Sequence, residues 1–113
     1  MLAGTYTEVL KDGKSGRCRT AGNNEGSYRG LNLKAGASHG DCAKECDKFP
    51  KCLAYHFKAS NRYCVLYGEG DNFPNKNKGE SDPARTVNTD DPAFVCYQRY
   101  YGRSLITTAG TLR

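Results

Sequence analysis

The chain has few of the residues from which a large apolar core is built. It contains no tryptophan and one methionine, only 37% of its residues are hydrophobic, and its mean hydropathy is −0.76. Its 113 residues, 13 of them glycine, are enough for one domain. We therefore predict a single domain over residues 1–113 that needs stabilisation besides burial.

The sequence also lacks any long apolar run. Residues 1–16 have no apolar stretch of the ~7 to 15 residues that a secretory signal needs, and no later run is long enough to span a bilayer. No Asn-x-Ser/Thr glycosylation site is present. We expect no membrane insertion and recognise no signal peptide in this chain.

Charge of one sign is not concentrated anywhere. The 17 basic and 12 acidic residues are interspersed, which is typical of a solvated surface, although they sum to a net charge of +5. This pattern gives no reason to expect nucleic-acid binding. A general attraction to acidic partners such as sulfated glycans stays open.

Groups suited to catalysis are scarce. The only histidines are His39 and His56, and no Ser-His-Asp or Cys-His arrangement is recognisable. His56, on a predicted strand, is more typical of a hydrogen-bonded, partly buried residue than of a general base. We predict a non-enzymatic protein with no catalytic residues and no cofactor.

Six cysteines are the most informative residues present. An even number of cysteines in so short a chain is typical of a disulfide framework, and hence of a secreted or extracellular surface protein. Zinc binding by residues 39–56 is the alternative, but a Cys pair four apart within a helix is not the usual knuckle spacing, so no metal is expected. The absence of Cys-x-x-Cys argues against redox catalysis.

One helix is predicted at residues 38–49. Ser38 can cap it, with Asp41 at the third position after the cap, and Pro50 ends it. Cys42 and Cys46 lie four residues apart, so both project from one face of this helix.

The rest of the pattern predicts short strands. Between Cys52 and Phe57 the chain alternates, with Leu53, Tyr55 and Phe57 on one side and Cys52, Ala54 and His56 on the other. Five further strands are predicted, at residues 5–10, 16–20, 27–36, 62–68 and 93–101. Residues 68–92, rich in Gly, Asn, Asp and Pro, are expected to form a long loop, either a flexible insertion or a binding loop.

Six cysteines allow fifteen disulfide connectivities. A helix that lies across the following hairpin brings Cys46 close to Cys52 and leaves Cys64 for Cys42. Cys18 and Cys96, in an early and a late strand, then remain to pair with each other and tie the ends of the domain together.

The string C-x3-C-x5-C-L-A-Y-x-F over residues 42–57, followed by Y-C-x-L-Y at 63–67, resembles the PAN/Apple family of extracellular modules. Cys18 and Cys96 resemble the additional cystine of its Apple branch. The resemblance covers residues 16–99 and leaves tails at 1–15 and 100–113. It implies an α+β fold, a curved antiparallel sheet with one helix packed across it, and the nested pairing given above.

The resemblance also implies binding of proteins or carbohydrates. One hypothesis is contact with other extracellular proteins or with copies of this chain, through the sheet or the β-prone tails. The other is a lectin-like site, in which Tyr97, Arg99 and Tyr101 alternate onto one face and present rings and a guanidinium to a glycan. For both patterns the alternative is that these residues pair or pack within their own sheet, which is the more common arrangement.

Overall fold

A computed structural model describes residues 5–20, 27–68, 72–74 and 85–100. It contains, in chain order, β1 (Thr5–Val9), β2 (Arg17–Arg19), β3 (Tyr28–Asn32), α1 (His39–Asp47), β4 (Cys52–Lys58), β5 (Tyr63–Gly68), β6 (Thr86–Asn88) and β7 (Phe94–Tyr100). The predicted small α+β fold, with one helix against an antiparallel sheet, is confirmed.

Five strands form the main sheet in the order β1-β7-β4-β5-β3, with every neighbouring pair antiparallel. The short strands β2 and β6 pair with each other in a second sheet. Strand β4, in the middle of the main sheet, is buried for most of its length. Its near-continuous run of apolar residues is what a strand covered on both faces requires.

Helix α1 begins after the predicted cap, Ser38, and ends two residues before the predicted C-terminal end. Ser38 is its N-cap, and the Ser38 backbone N–H donates to Asp41 Oδ2 at 2.9 Å. This bond stabilises the carboxylate and lowers the pKa of Asp41. The helix ends at Asp47, because the Phe49 N–H turns back to the Cys46 carbonyl at 3.0 Å instead of continuing the α-helical ladder towards Pro50.

The main sheet has a helix face and an opposite face. The core under the helix contains the apolar residues Cys42, Cys46, Cys52, Tyr55, Phe57, Cys64, Leu66 and Phe73. The opposite face contains Cys18, Ala54, Val65, Tyr67, Val87 and Cys96, and the β2–β6 pair covers it. Each core is small, as the composition predicted.

One predicted side-chain direction is wrong. Strict alternation places Cys52 on the same side as Ala54 and His56, yet Cys52 belongs to the core under the helix. The register of β4 against β5 shifts between Cys52 and Ala54, and such an irregularity reverses the direction of the side chains before it.

The segment predicted as a long loop contributes to the fold at two described points. Strand β6 lies within it, and Val87 of that strand is buried. Phe73 is fully buried, with its ring centroid 5.9 Å from that of Phe49. A Cβ at Gly68 would come within 2.7 Å of the Phe73 ring, so glycine is needed there. The remainder of the predicted loop, residues 69–71 and 75–84, lies outside the described residues.

Candidate binding site

Three disulfides fix the helix and the ends of the domain. Cys42–Cys64 and Cys46–Cys52 attach α1 to β5 and β4, and Cys18–Cys96 joins β2 to β7 on the opposite face. These are the pairs predicted from the sequence. Because they use all six cysteines of the chain, no thiolate remains to bind zinc or to act as a nucleophile.

Arg99, a predicted ligand-binding residue, lies inside the fold. It is 5% exposed, and its Nη1 donates to the carbonyl oxygens of Cys46 at 3.3 Å, Phe49 at 3.3 Å and Cys52 at 3.4 Å. These carbonyls belong to the C-terminal end of α1 and the turn into β4. The Arg99 guanidinium therefore caps the helix from below and is not presented to solvent.

A carboxylate connects Arg99 to the edge strand. Asp47 Oδ1 lies 3.6 Å from Arg99 Nη2 and accepts a 2.6 Å hydrogen bond from the Tyr6 hydroxyl. Burial is the main cause of the raised pKa of Tyr6, and the hydrogen bond to Asp47 raises it further. This network joins β1, α1 and β7 and needs no ligand to complete it.

Tyr97, the second predicted ligand-binding residue, belongs to an aromatic cluster at the start of the helix. Its ring stacks on that of His39, with centroids 4.6 Å apart and planes 3° apart, and lies 5.3 Å from that of Tyr55. The Tyr55 hydroxyl lies 2.9 Å from His39 Nδ1. Tyr97 is half-buried, and desolvation together with Glu8 raises its pKa. This side chain keeps an accessible part.

Tyr101, the third candidate of the predicted glycan platform, lies outside the described residues. The alternation of Tyr97 and Arg99 onto one face is present, but that face lies under the helix. A platform that uses the Arg99 guanidinium as an exposed hydrogen-bond donor is therefore not what the structure contains.

His56 lies on the opposite face, away from His39. It is 2% exposed, and its Nδ1 accepts from the Cys18 N–H at 3.1 Å, with the Tyr67 hydroxyl 3.3 Å from the same atom. Burial, with smaller effects from Arg19 and Arg17, lowers the pKa of His56 to about 3. It is a neutral core residue, and within the described residues no group of side chains could hold a metal ion.

An apolar cavity opens beside the helix N-terminus. It has a volume of about 350 Å³ and is lined by Ser38, His39, Phe57, Ala59, Ala93 and Val95. Leu10, directly after β1, is 50% exposed and is the one large hydrophobic residue of the described chain that is exposed. Sequence reasoning missed both features. Leu10 ends the apolar alternation of its strand, but only the position of the helix shows that nothing in the described chain covers it.

The fold and disulfides define the class: a small, disulfide-stapled α+β module whose buried titratable groups have structural roles. The family model described as PAN domain matches residues 18–101, and the chain belongs to this family. PAN domains are modules that bind proteins or carbohydrates, and in general they are not enzymes. No curated protein and no solved structure was found to match the chain. None of the described helices is long and apolar enough to cross a membrane.

Proposed function

We propose that this PAN domain is a non-catalytic extracellular module that contacts other proteins or copies of itself. The observation that carries this proposal is the apolar cavity at the helix N-terminus, lined by Phe57 and Val95, together with the exposed Leu10 that directly follows β1. A preformed apolar cavity is where binding is expected in a module of this kind. The three disulfides support an oxidising, extracellular location.

The structural roles of His56 and of the six cysteines support a function without catalysis. His56 is held neutral in the core, and every cysteine is in a disulfide. These groups stabilise the scaffold, and the exposed surface is left for recognition.

Carbohydrate binding is the second candidate, and the Tyr97–His39 stack favours it. Tyr97 is half-buried, His39 is exposed, and Glu8 lies directly across from Tyr97 in the sheet register. An aromatic surface next to a carboxylate offers stacking and a hydrogen-bond acceptor to a sugar. Tyr101, though outside the described residues, follows β7 and remains a candidate for the same site.

A glycan array combined with light scattering separates the two functions. A protein-binding module gives no reproducible glycan signal and shows association in solution. A lectin gives signals that Tyr97→Ala or Tyr101→Ala removes, whereas Tyr28→Ala, on the opposite face, keeps them. Signals confined to sulfated glycans and lost in moderate salt would instead reflect the net charge of +5. An array with specific neutral-glycan signals and a strictly monomeric protein would refute the protein-contact proposal.

A further inference from the structure

The sheet register places three apolar side chains in one row on the helix face. Val95 of β7 lies opposite Phe57 of β4. Val9, the last residue of β1, lies opposite Cys96, so continuing the register by one residue sets Leu10 beside Val95. Since side chains alternate along a strand, Leu10 shares the helix face with Val95. The row therefore runs Leu10, Val95, Phe57 from the sheet edge inward.

A disulfide attaches the helix to the far end of this row. Cys42 of α1 is bridged to Cys64, which lies opposite Phe57 in β5. Leu10, at the near end, is 50% exposed. Its neighbour in the row, Val95, lines the cavity together with Phe57 and the residues at the helix N-terminus. The exposed Leu10 side chain (the projection) and the apolar cavity (the hole) thus lie side by side on one surface.

This arrangement is self-complementary. A twofold axis that passes between the projection and the hole places Leu10 of each copy over the cavity of the other, as an isologous dimer contact requires. Building on the protein-contact function proposed above, we infer that the partner of this surface is a second copy of the chain, with Leu10 inserted into the cavity lined by Phe57, Ala93 and Val95.

Charge is complementary in the same arrangement. Glu8 lies two residues before Leu10, on the same face of β1, and is exposed. It would accompany Leu10 towards the second copy's cavity, at whose rim His39 and Ser38 form the helix N-terminus. A carboxylate is favoured near the positive end of a helix dipole. The proposed contact therefore combines the apolar Leu10 side chain with a favourable interaction between Glu8 and the helix N-terminus of the second copy.

Sedimentation velocity of the full chain tests the inference, over concentrations up to about 1 mM because small interfaces are weak. The wild type should pass from monomer to dimer and go no further. Leu10→Lys should raise the dissociation constant by about tenfold or more. Thr7→Lys is the matched control, because it adds the same charge to the same strand on the opposite face and should leave the dimer unchanged.

A second variant tests the hole and does not depend on the Leu10 substitution. Ala93→Trp should fill the cavity and weaken self-association as Leu10→Lys does. A mixture of the two variants should associate with each other more tightly than either does with itself, because one intact projection meets one intact hole. Equal melting temperatures and near-ultraviolet dichroism identify variants that are folded.

The possible failures are distinguishable. If the wild type dimerises and Leu10→Lys dimerises equally well, the site is wrong and the protein-contact function stands. If the wild type assembles beyond two copies, the closed twofold contact is wrong. A wild type that stays monomeric overturns the second copy as the partner, and specific neutral-glycan binding by that monomer overturns the protein-contact function as well.

Discussion

The most decisive test of the fold is the buried guanidinium of Arg99. Arg99→Met replaces it with an apolar side chain of similar length, and Arg99→Lys keeps the charge but loses the planar fork that bonds several acceptors at once. The substitution acts on the point where the helix end, the turn into β4 and strand β7 meet. It therefore tests whether the Arg99 guanidinium holds the helix on the sheet.

The expected magnitude follows from the groups left behind. Arg99→Met removes the donor to three carbonyl oxygens at 3.3 to 3.4 Å and the ion pair with Asp47 at 3.6 Å. The Cys46 and Phe49 carbonyls keep backbone donors at 3.0 Å, so no acceptor penalty is counted for them. A hydrogen bond from a charged donor contributes about 1.5 to 3 kcal/mol, and breaking a buried ion pair costs about 3 to 5 kcal/mol. Since these effects overlap, we expect a loss of about 3 to 5 kcal/mol in the free energy of unfolding.

Equilibrium unfolding in guanidinium chloride, with the disulfides oxidised, measures this loss. Arg99→Lys should lose less than Arg99→Met. The control is Arg17→Met, because Arg17 pairs with Asp91 at 3.5 Å where the two side chains are 41% and 33% exposed, and such surface pairs contribute about 0 to 1 kcal/mol. If Arg99→Met costs no more than Arg17→Met, Arg99 does not cap the helix and can be reconsidered as a ligand-binding residue.

Two further predictions concern the scaffold. Replacing Cys18 and Cys96 together by alanine should lower the free energy of unfolding by up to about 4.5 kcal/mol, because their disulfide spans 78 residues of sequence. Thiol reductant should unfold the domain, and a melting curve unchanged by reduction would contradict this. The pKa of His56 is about 3 in the fold and about 6.5 in the unfolded chain, so the unfolded chain binds the proton more tightly. The stability of the fold should therefore fall as the pH falls from about 6.5 towards 3. Between pH 7 and pH 5 the loss should be about 2 kcal/mol in denaturant titrations, and His56→Gln should remove most of that slope.

Local sequence patterns predicted every described element except β6, which lies in the segment predicted as a loop, and most of the side-chain faces. Period-two alternation identified β4 and placed Tyr55 and Phe57 together, and the four-residue spacing of Cys42 and Cys46 placed both on the underside of the helix. The side-chain direction of Cys52 was predicted wrongly, because a register shift cannot be recognised from the alternation of residues in the sequence. Phe73, a lone aromatic residue among polar ones, is buried by contacts with the distant Phe49.

The candidate site was harder to predict because it depends on where the helix lies across the sheet. The run Tyr97 to Tyr101 suggested a binding platform, because alternation along a strand puts Tyr97, Arg99 and Tyr101 on one face. In the fold, the helix C-terminus lies over Arg99, whose guanidinium donates to the carbonyl oxygens of Cys46 and Phe49, which also accept backbone N–H groups. The same position of the helix leaves Leu10, directly after β1, exposed.

The scaffold and the proposed contact surface are thus consequences of one geometry. Two disulfides and Arg99 fix α1 at the β4 and β5 side of the sheet. A nine-residue helix fixed there does not lie over the β1 edge at Leu10. The contact surface should therefore depend on Arg99 indirectly: Arg99→Lys, if it leaves the domain folded but loosens the helix end, should weaken self-association less than Leu10→Lys does. If it weakens association more, the helix position matters more than the apolar projection, and Leu10 is not the anchor.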